Sequence, residues 1–268
     1  MRSTKHHLKY RHINICSFLA LAVVLFFCSN HAEAAGKQQP HSLINLADKE
    51  LWNMNYPKAD SLYSIVLLDN PDNADLFWKL ARLQVSMGES YTDNSKEHYS
   101  KATEYARKCV SLDSTNGKGH TWLAASLAIM AENRGTKAKL KQAKEIKREL
   151  DTAIRLNPND ETALSMLGSY YREAARIGWF KRMMANTFIG EVPVGNYELA
   201  EKAFRKAITL DPAIIRNYHE LALICLDNNK REEAMSLMKT ALDKPILVAS
   251  DIRRVEEMRK LIKRYSNE

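Results

Sequence analysis

The sequence predicts an all-α fold: a right-handed solenoid of about four to five stacked helix pairs, finished by a C-terminal capping helix. Three observations lead there. A leucine followed by Asp, Asn or Pro recurs along the chain as a helix stop, and small residues recur at fixed places between the stops. Glycine and proline are scarce, at nine and seven in 268 residues, while Ala, Leu, Lys, Arg and Glu are abundant, a balance that favours helices over sheets. With 45% hydrophobic and 27% charged residues the chain can bury a sizeable core or build a repeat array.

Residues 1–35 stand outside that pattern. Arg2, Lys5, Lys9 and Arg11 make a basic start, the run Ile13 to Phe27 is apolar, and Ala32-Glu33-Ala34-Ala35 supplies an A-x-A stretch. Basic, apolar and small in that order reads as a secretory leader cleaved after Ala34 or Ala35, and the apolar run is short for a membrane span. The expectation is an exported protein, periplasmic or secreted; the alternative is a membrane anchor through residues 13–28. Phe27 sits where a lipoprotein signal at Cys28 would need a small residue. Removing the leader takes four basic residues and one acid, so the formal charge falls from +8 to +5. It also leaves only Cys109 and Cys225, too few and too distant for a disulfide framework and expected as buried core thiols.

The stops are Leu68-Asp69-Asn70-Pro71, Leu112-Asp113-Ser114, Leu156-Asn157-Pro158, Leu210-Asp211-Pro212 and Leu242-Asp243-Lys244-Pro245, with leucines 44, 44, 54 and 32 residues apart. Between them lies the tetratricopeptide (TPR) pattern, W-x2-L-G-x2-Y on a first helix and A-x3-F-x2-A with a proline on a second. One unit supplies Leu164, Leu167, Gly168 and Tyr171, then Ala200, Phe204, Ala207 and Pro212. The next supplies Tyr218, Leu221, Ala222 and Cys225, then Ala234, Met238, Ala241 and Pro245. Earlier units keep the frame loosely: Phe77, Leu80 and Ala81 lead to Ala102, Ala106 and Cys109, and His120, Leu123 and Ala124 lead to Ile146, Leu150 and Ala153. Upstream, Ala59, Tyr63 and Val66 mark a second helix whose partner is the short stretch Leu43 to Asn53. Small residues at the eighth and twentieth positions let paired helices approach, and large apolar ones fill the groove between pairs. The array then occupies residues 36–248. Residues 249–268 form the cap, with Ser250 or Asp251 as N-cap and Val255, Met258, Leu261 and Ile262 as its inward stripe.

TPR helices are ordinarily joined by about four residues, and three units exceed that. The largest insertion follows Tyr171, extending the first helix towards Asn186 before a loop with Pro193 and Gly195. Its Trp179, Phe180, Met183, Met184 and Phe188 either pack on a neighbouring helix or form a lid over the concave groove, with Trp179, Arg182 and Phe188 the lid residues.

Gly168, Ala174, Trp179, Arg182, Ala185, Phe188, Gly190, Pro193, Ala200, Phe204, Ala207, Pro212, Asn217 and Asp251, with His120-x-Trp122 and the Lys147 to Pro158 helix ending, resemble the pattern of the regulator of microtubule dynamics family. The resemblance covers roughly Ala74 to Tyr265, and the Trp179 to Pro193 insertion is its most specific part. It implies a TPR fold, microtubule association in eukaryotic members, sometimes an N-terminal membrane anchor, and no catalytic residues. An exported chain meets no microtubules, so tubulin as a partner rests on the family name alone.

No cofactor, metal site or nucleic-acid partner is expected. His219-Glu220-Leu221-Ala222-Leu223 lacks the second histidine of H-E-x-x-H, and no G-x-S-x-G, P-loop or G-x-G-x-x-G occurs. The chain reads as a binding protein and not an enzyme. The run Arg134 to Arg148 carries Lys139, Lys141, Lys144, Lys147 and Arg148, either a solvated face or a docking patch for an acidic partner or anionic lipid. No aromatic residues interleave these cations as a nucleic-acid platform would require. By the register of the first helices, the inner face presents Lys118, Thr121, Ala125, Thr162, Ser165, Ser169, Arg172, Arg216, His219 and Leu223. The expected function is a protein or peptide scaffold working through that concave groove. The alternative is a lipid or amphiphile binder using the aromatic and methionine side chains of insertion 172–195.

Overall fold

The computed structural model describes residues 40–91, 93–134, 136–177 and 195–266. The chain divides into a segment Met1–Ser42 and a body Leu43–Glu268, and the body carries everything that follows. The described residues form eleven helices: α1 (Pro40–Trp52), α2 (Tyr56–Asp69), α3 (Ala74–Ser90), α4 (Ser95–Leu112), α5 (Gly117–Asn133), α6 (Thr136–Leu156), α7 (Glu161–Ala175), α8 (Tyr197–Leu210), α9 (Ile215–Asp227), α10 (Arg231–Leu242) and α11 (Ala249–Ser266). They pair as α3/α4 through α9/α10, each odd-numbered helix being the first of its pair; α1 and α2 share an apolar cluster and the Tyr63–Asp48 hydrogen bond, and α11 packs on α9 and α10.

The stop signals work at both of the helix ends they join. Asn70, Asp113, Asn157 and Asp211 each close a second helix with a backbone N–H to the carbonyl four residues back. A few residues on, Asn73, Asn116 and Asp160 turn a side-chain oxygen to the N–H of Leu76, Gly119 and Ala163, starting α3, α5 and α7. Satisfying these orphan amides is worth about 1 kcal/mol per cap. The two pairs without insertions turn alike. Met54 and Asn229 adopt φ of 58° and 59°, and the N–H groups of Asn55 and Lys230 reach back five residues to Glu50 and Cys225. This is the left-handed helix ending that permits a three-residue turn.

Small residues occupy the helix crossings, as the pattern requires. Ala81, Ala102, Ala124, Ala153, Ala200, Ala207, Ala234 and Ala241 are all fully buried. The large partners beside them, Tyr63, Phe204 and Met238 among them, are also inaccessible, and three successive apolar clusters run along the stack. Cys109 and Cys225 are free thiols within it, raised by burial to about 12 and about 11, so neither is reactive at neutral pH.

Two elements differ from the sequence reading. The first helix of the inserted unit ends at Ala175, where Arg176 bonds back to Arg172; the rest of the expected extension, towards Asn186, lies outside the described residues. In α11, Ser250 and Asp251 lie inside the first turn, not at the N-cap. The Asp251 carboxylate accepts from the N–H groups of Leu247 and Val248, securing the chain that enters the helix. Met258 is the fully buried member of the inward stripe, and Val255, Leu261 and Ile262 pack around the same cluster.

Gly168 shows how tight the crossings are. A Cβ there would stand 2.8 Å from the Phe204 ring, whereas one on Gly117 would meet nothing closer than 3.5 Å. Gly168→Ala is expected to cost about 1–3 kcal/mol by overpacking, and Gly117→Ala to be neutral or slightly stabilising. Urea denaturation followed by circular dichroism separates the two; equal midpoints would refute the packing account.

Candidate binding groove

The first helices present one face each to a shared concave surface, a groove of about 1330 Å³. Its lining follows the helical steps of three and four residues. Trp78, Arg82, Val85 and Glu89 come from α3; Lys118, Trp122, Ala125 and Ile129 from α5; Thr162, Ser165, Ser169 and Arg172 from α7; and Arg216 and Glu220 from α9. The approach to α11 and its first turn add Leu247, Val248, Ser250 and Arg254. The Ser250 hydroxyl donates to Glu89 at 2.8 Å, so the last helix meets α3 across the concave opening.

Of the residues read from sequence as inner face, Lys118, Ala125, Thr162, Ser165, Ser169, Arg172 and Arg216 line this groove. Thr121, His219 and the half-buried Leu223 do not. Thr121 is fully buried and donates to Asp160 at 2.9 Å, behind the wall. His219 is buried between Glu220 at 3.7 Å and Glu257 at 3.3 Å. The inner register steps by four from Lys118 to Trp122 and from Arg216 to Glu220, and the sequence reading stepped by three. Asp160 is the cause at the first place. Besides capping α7 it accepts from Lys118 at 2.9 Å and from Thr121, rotating α5 so that Trp122 faces inward.

The wall nearest α1 is aromatic and cationic. Asp48 accepts from Lys79 and from the Tyr63 hydroxyl at 2.6 Å, and from Arg82 at 2.5 Å. Burial works to raise the Asp48 pKa, but the Lys79 and Tyr63 hydrogen bonds and the Arg82 charge outweigh it and hold the carboxyl below its usual range. The Arg82 guanidinium carbon stands 5.2 Å from the ring centres of both Trp52 and Trp78. Next along lies an apolar stretch, with Trp122, Ala125, Ala128 and Ile129 on α5 and Leu140, Ala143 and Ile146 on α6.

The far end is charged. Arg172 donates to Glu220 at 3.1 Å, and Arg216 donates to Ser169 and to the Met166 sulfur, both at 3.2 Å. Arg254 donates to Ser250 at 2.7 Å and Asp251 at 3.1 Å. Burial works to raise the Glu220 pKa, yet the neighbouring His219, 3.7 Å away, and the Arg216 and Arg172 charges bring it down to about 2. The arrangement holds fixed charges of both signs beside an apolar wall, a binding chemistry.

With that geometry in view, a family model described as regulator of microtubule dynamics protein 1-3 matches residues 43–266, from α1 through α11. The chain belongs to this family. It is 27% identical over 219 residues to regulator of microtubule dynamics protein 1 of Pongo abelii, covering 78% of this chain and 68% of that one. To the human protein 1 it is 28% identical over 198 residues, 70% of this chain and 62% of the relative. With human protein 2 the match is 27% over 194 residues and takes in 71% of this chain but 47% of the relative, so parts of these relatives have no counterpart in the aligned region. Among solved structures, a thermophilic TPR protein of Thermus thermophilus superimposes with a TM-score of 0.59 at 17% identity, covering 83% of this chain and 98% of that one. PilW, a type IV pilus biogenesis factor, does so at 0.51 and 15%, covering 84% and 86%. These likenesses show the TPR fold.

The other residues singled out from the sequence fall in two places. Trp179, Arg182 and Phe188 lie outside the described residues. Lys141, Lys144 and Arg148 of α6 face away from the groove, because Leu140, Ala143 and Ile146 take the inner side of the helix. Lys147 is bonded to Asp151 at 2.7 Å and Arg148 to Glu149 at 2.8 Å, while Lys141 and Lys144 are exposed. Lys139 is in the same helix. Among the contributors missed in sequence are the α3 face, the Trp122 and Glu220 register and the α11 turn. The first two carried a readable signal, since Trp78-x3-Arg82 repeats the spacing of Lys118-x3-Trp122. The third did not.

Glu220 makes the charged end pH-sensitive. An unfolded glutamate titrates near 4.5, and the folded value is about 2. The stabilisation is therefore complete above pH 4.5 and is lost as pH falls towards about 2. Glu220→Gln is expected to lower stability at pH 7 and to flatten its decline between those values, measured as urea midpoints across the range. Parallel curves for the two proteins would show that Glu220 does not carry this dependence.

Proposed function

We propose that the chain is a non-enzymatic binding scaffold that receives a segment of a protein partner in the concave groove. The observation that carries this reading is the placing of tryptophan: of four in the chain, Trp52, Trp78 and Trp122 line the groove. Large rings held on rigid helices beside charged groups offer much contact area at little conformational cost, which is how interfaces concentrate their binding energy. The relatives' name ties them to microtubule dynamics, and tubulin comes to this chain by that name only. The basic, apolar and small-residue order of residues 1–35 supports a scaffold outside the cytoplasm, where the partner would be another protein.

The apolar stretch from Trp122 to Ile146, with arginines beyond it, also supports the amphiphile reading, with an acyl chain on the wall and a charged head at Arg172 or Arg216. A photo-reactive side chain placed at Ile129 in the groove and, as control, at exposed Lys202 on α8 decides between them. Protein adducts from position 129 and not from 202, sequenced to a defined segment, are the expected result. Equal adducts from both positions would remove the groove reading, and co-purified lipid in a native mass spectrum without adducts would replace it with the amphiphile one. The N-terminus of the protein from the same cells is expected near residue 35, and an intact Met1 in a cytosolic fraction would overturn export.

A further inference from the structure

We infer that α11 carries a docking surface for an anionic phospholipid bilayer, formed by Arg253, Arg259, Lys260, Lys263 and Arg264 on one exposed stripe of its outer face. The inference goes beyond the groove reading and does not rest on it.

The residues of α11 sort by helical angle. Val255, Met258, Leu261 and Ile262 share the side that packs against α9 and α10. The five cations fall opposite, within an arc of about 140°, and all of them are exposed. Glu256 is the carboxylate on that arc, so the stripe sets five positive charges against one negative. Glu257 stands at its edge, 3.3 Å from His219, and Asp251 on the inner side holds Arg254. The adjoining surface of α10 is balanced, with Arg231 and Lys239 against Glu232 and Asp243.

The demands of the helix do not account for this stripe. Cations in a last turn complement the helix dipole, which covers Lys263 and Arg264, but the effect fades within one turn and leaves Arg253, Arg259 and Lys260 without a reason. Intrahelical pairing does not supply one. Among the described residues Arg253, Arg259, Lys260 and Lys263 make no ion pair, although Glu256 stands four residues before Lys260. The cations of α6 are answered more fully: Lys147 and Arg148 are bonded to Asp151 and Glu149, and Glu145 takes Arg107.

The partner that fits presents negative charge without a fixed shape. The stripe is a straight row of long, flexible side chains, about 16 Å from Arg253 to Arg264, with no aromatic ring on its exposed face. A protein hot spot needs anchors seated in a packed pocket, and a single-stranded nucleic acid needs rings to stack on; the stripe offers neither. An anionic membrane surface asks only for charge, and each Lys or Arg brought near it gains about fivefold in binding. Ile252, exposed at the head of the stripe, adds one apolar side chain to the contact. Arg253 also lines the groove, so docking sets the α11 edge of the groove against the bilayer.

Co-sedimentation with vesicles tests this, using the chain as isolated from its host and vesicles of phosphatidylcholine, alone or with about one third phosphatidylglycerol. Binding to the anionic vesicles only, released as salt rises from about 0.1 M to about 0.5 M, is the expected result. R259E/K263E should weaken that binding by about twentyfold or more. K141E/K144E makes the same change of net charge on α6 and should cost about threefold or less. All four positions are exposed, so both variants should keep the circular dichroism of the parent. Equal losses in the two variants, or a loss in the α6 variant alone, would overturn the α11 surface, and so would equal binding to neutral vesicles. Absence of vesicle binding would overturn it too; polyglutamate retained by the parent and lost by R259E/K263E would then give the stripe to an acidic protein.

Discussion

Everything in this molecule depends on how closely two helices can approach at their crossings. A single TPR pair has too little apolar surface to be stable alone, so it must stack on its neighbours. It can do so only where alanine or glycine faces a large side chain. The Gly168 crossing beneath the Phe204 ring is a tight form of that contact, and the row of fully buried alanines repeats it along the array. Close packing at these points fixes the tilt of each pair on the next. The tilt then carries the first helices round a common concave face.

That curvature makes residues from distant units into one surface. Trp78 and Trp122 belong to different pairs, Arg172 and Arg216 to two others, and Arg254 to the cap, yet all line a single groove. The Ser250–Glu89 hydrogen bond, spanning 161 residues of sequence, is the outcome of summing small rotations over the intervening helices. Polar contacts between units set finer detail. Asp160 begins α7 and at the same time holds Lys118 and Thr121 of α5, so a helix cap in one unit determines which face the preceding unit shows. Asp48 does the same at the other end, tying α1 to Tyr63, Lys79 and Arg82.

Much of this was legible in the chain itself, and the limits of legibility have physical causes. The stop signals and small-residue positions marked every helix pair, because capping and close approach depend on local residue type. Seven of the ten inner-face positions named from the register line the groove. Thr121 and His219 were misplaced because a helix has 3.6 residues per turn, and a step of three or four from a known inner residue cannot be told apart without its neighbours. The Thr121 hydroxyl found a buried partner in Asp160 and the His219 imidazole is buried beside Glu220, while the bulkier Trp122 and the charged Glu220 took the inner places. The end of α7 at Ala175 was not read for a similar reason: apolar spacing shows which residues could share a helix, not where the chain turns.

The sequence by itself determined the helices, their pairing, the repeat and the family, since these follow from residue type at fixed short spacing. Only the tertiary structure decided that Thr121 and His219 turn away from the groove, that Lys141 and Lys144 of α6 face away from it, and that α11 meets α3. Each of these is a relation between residues far apart in the chain, and it exists only once the rotations of all the intervening pairs have been added together.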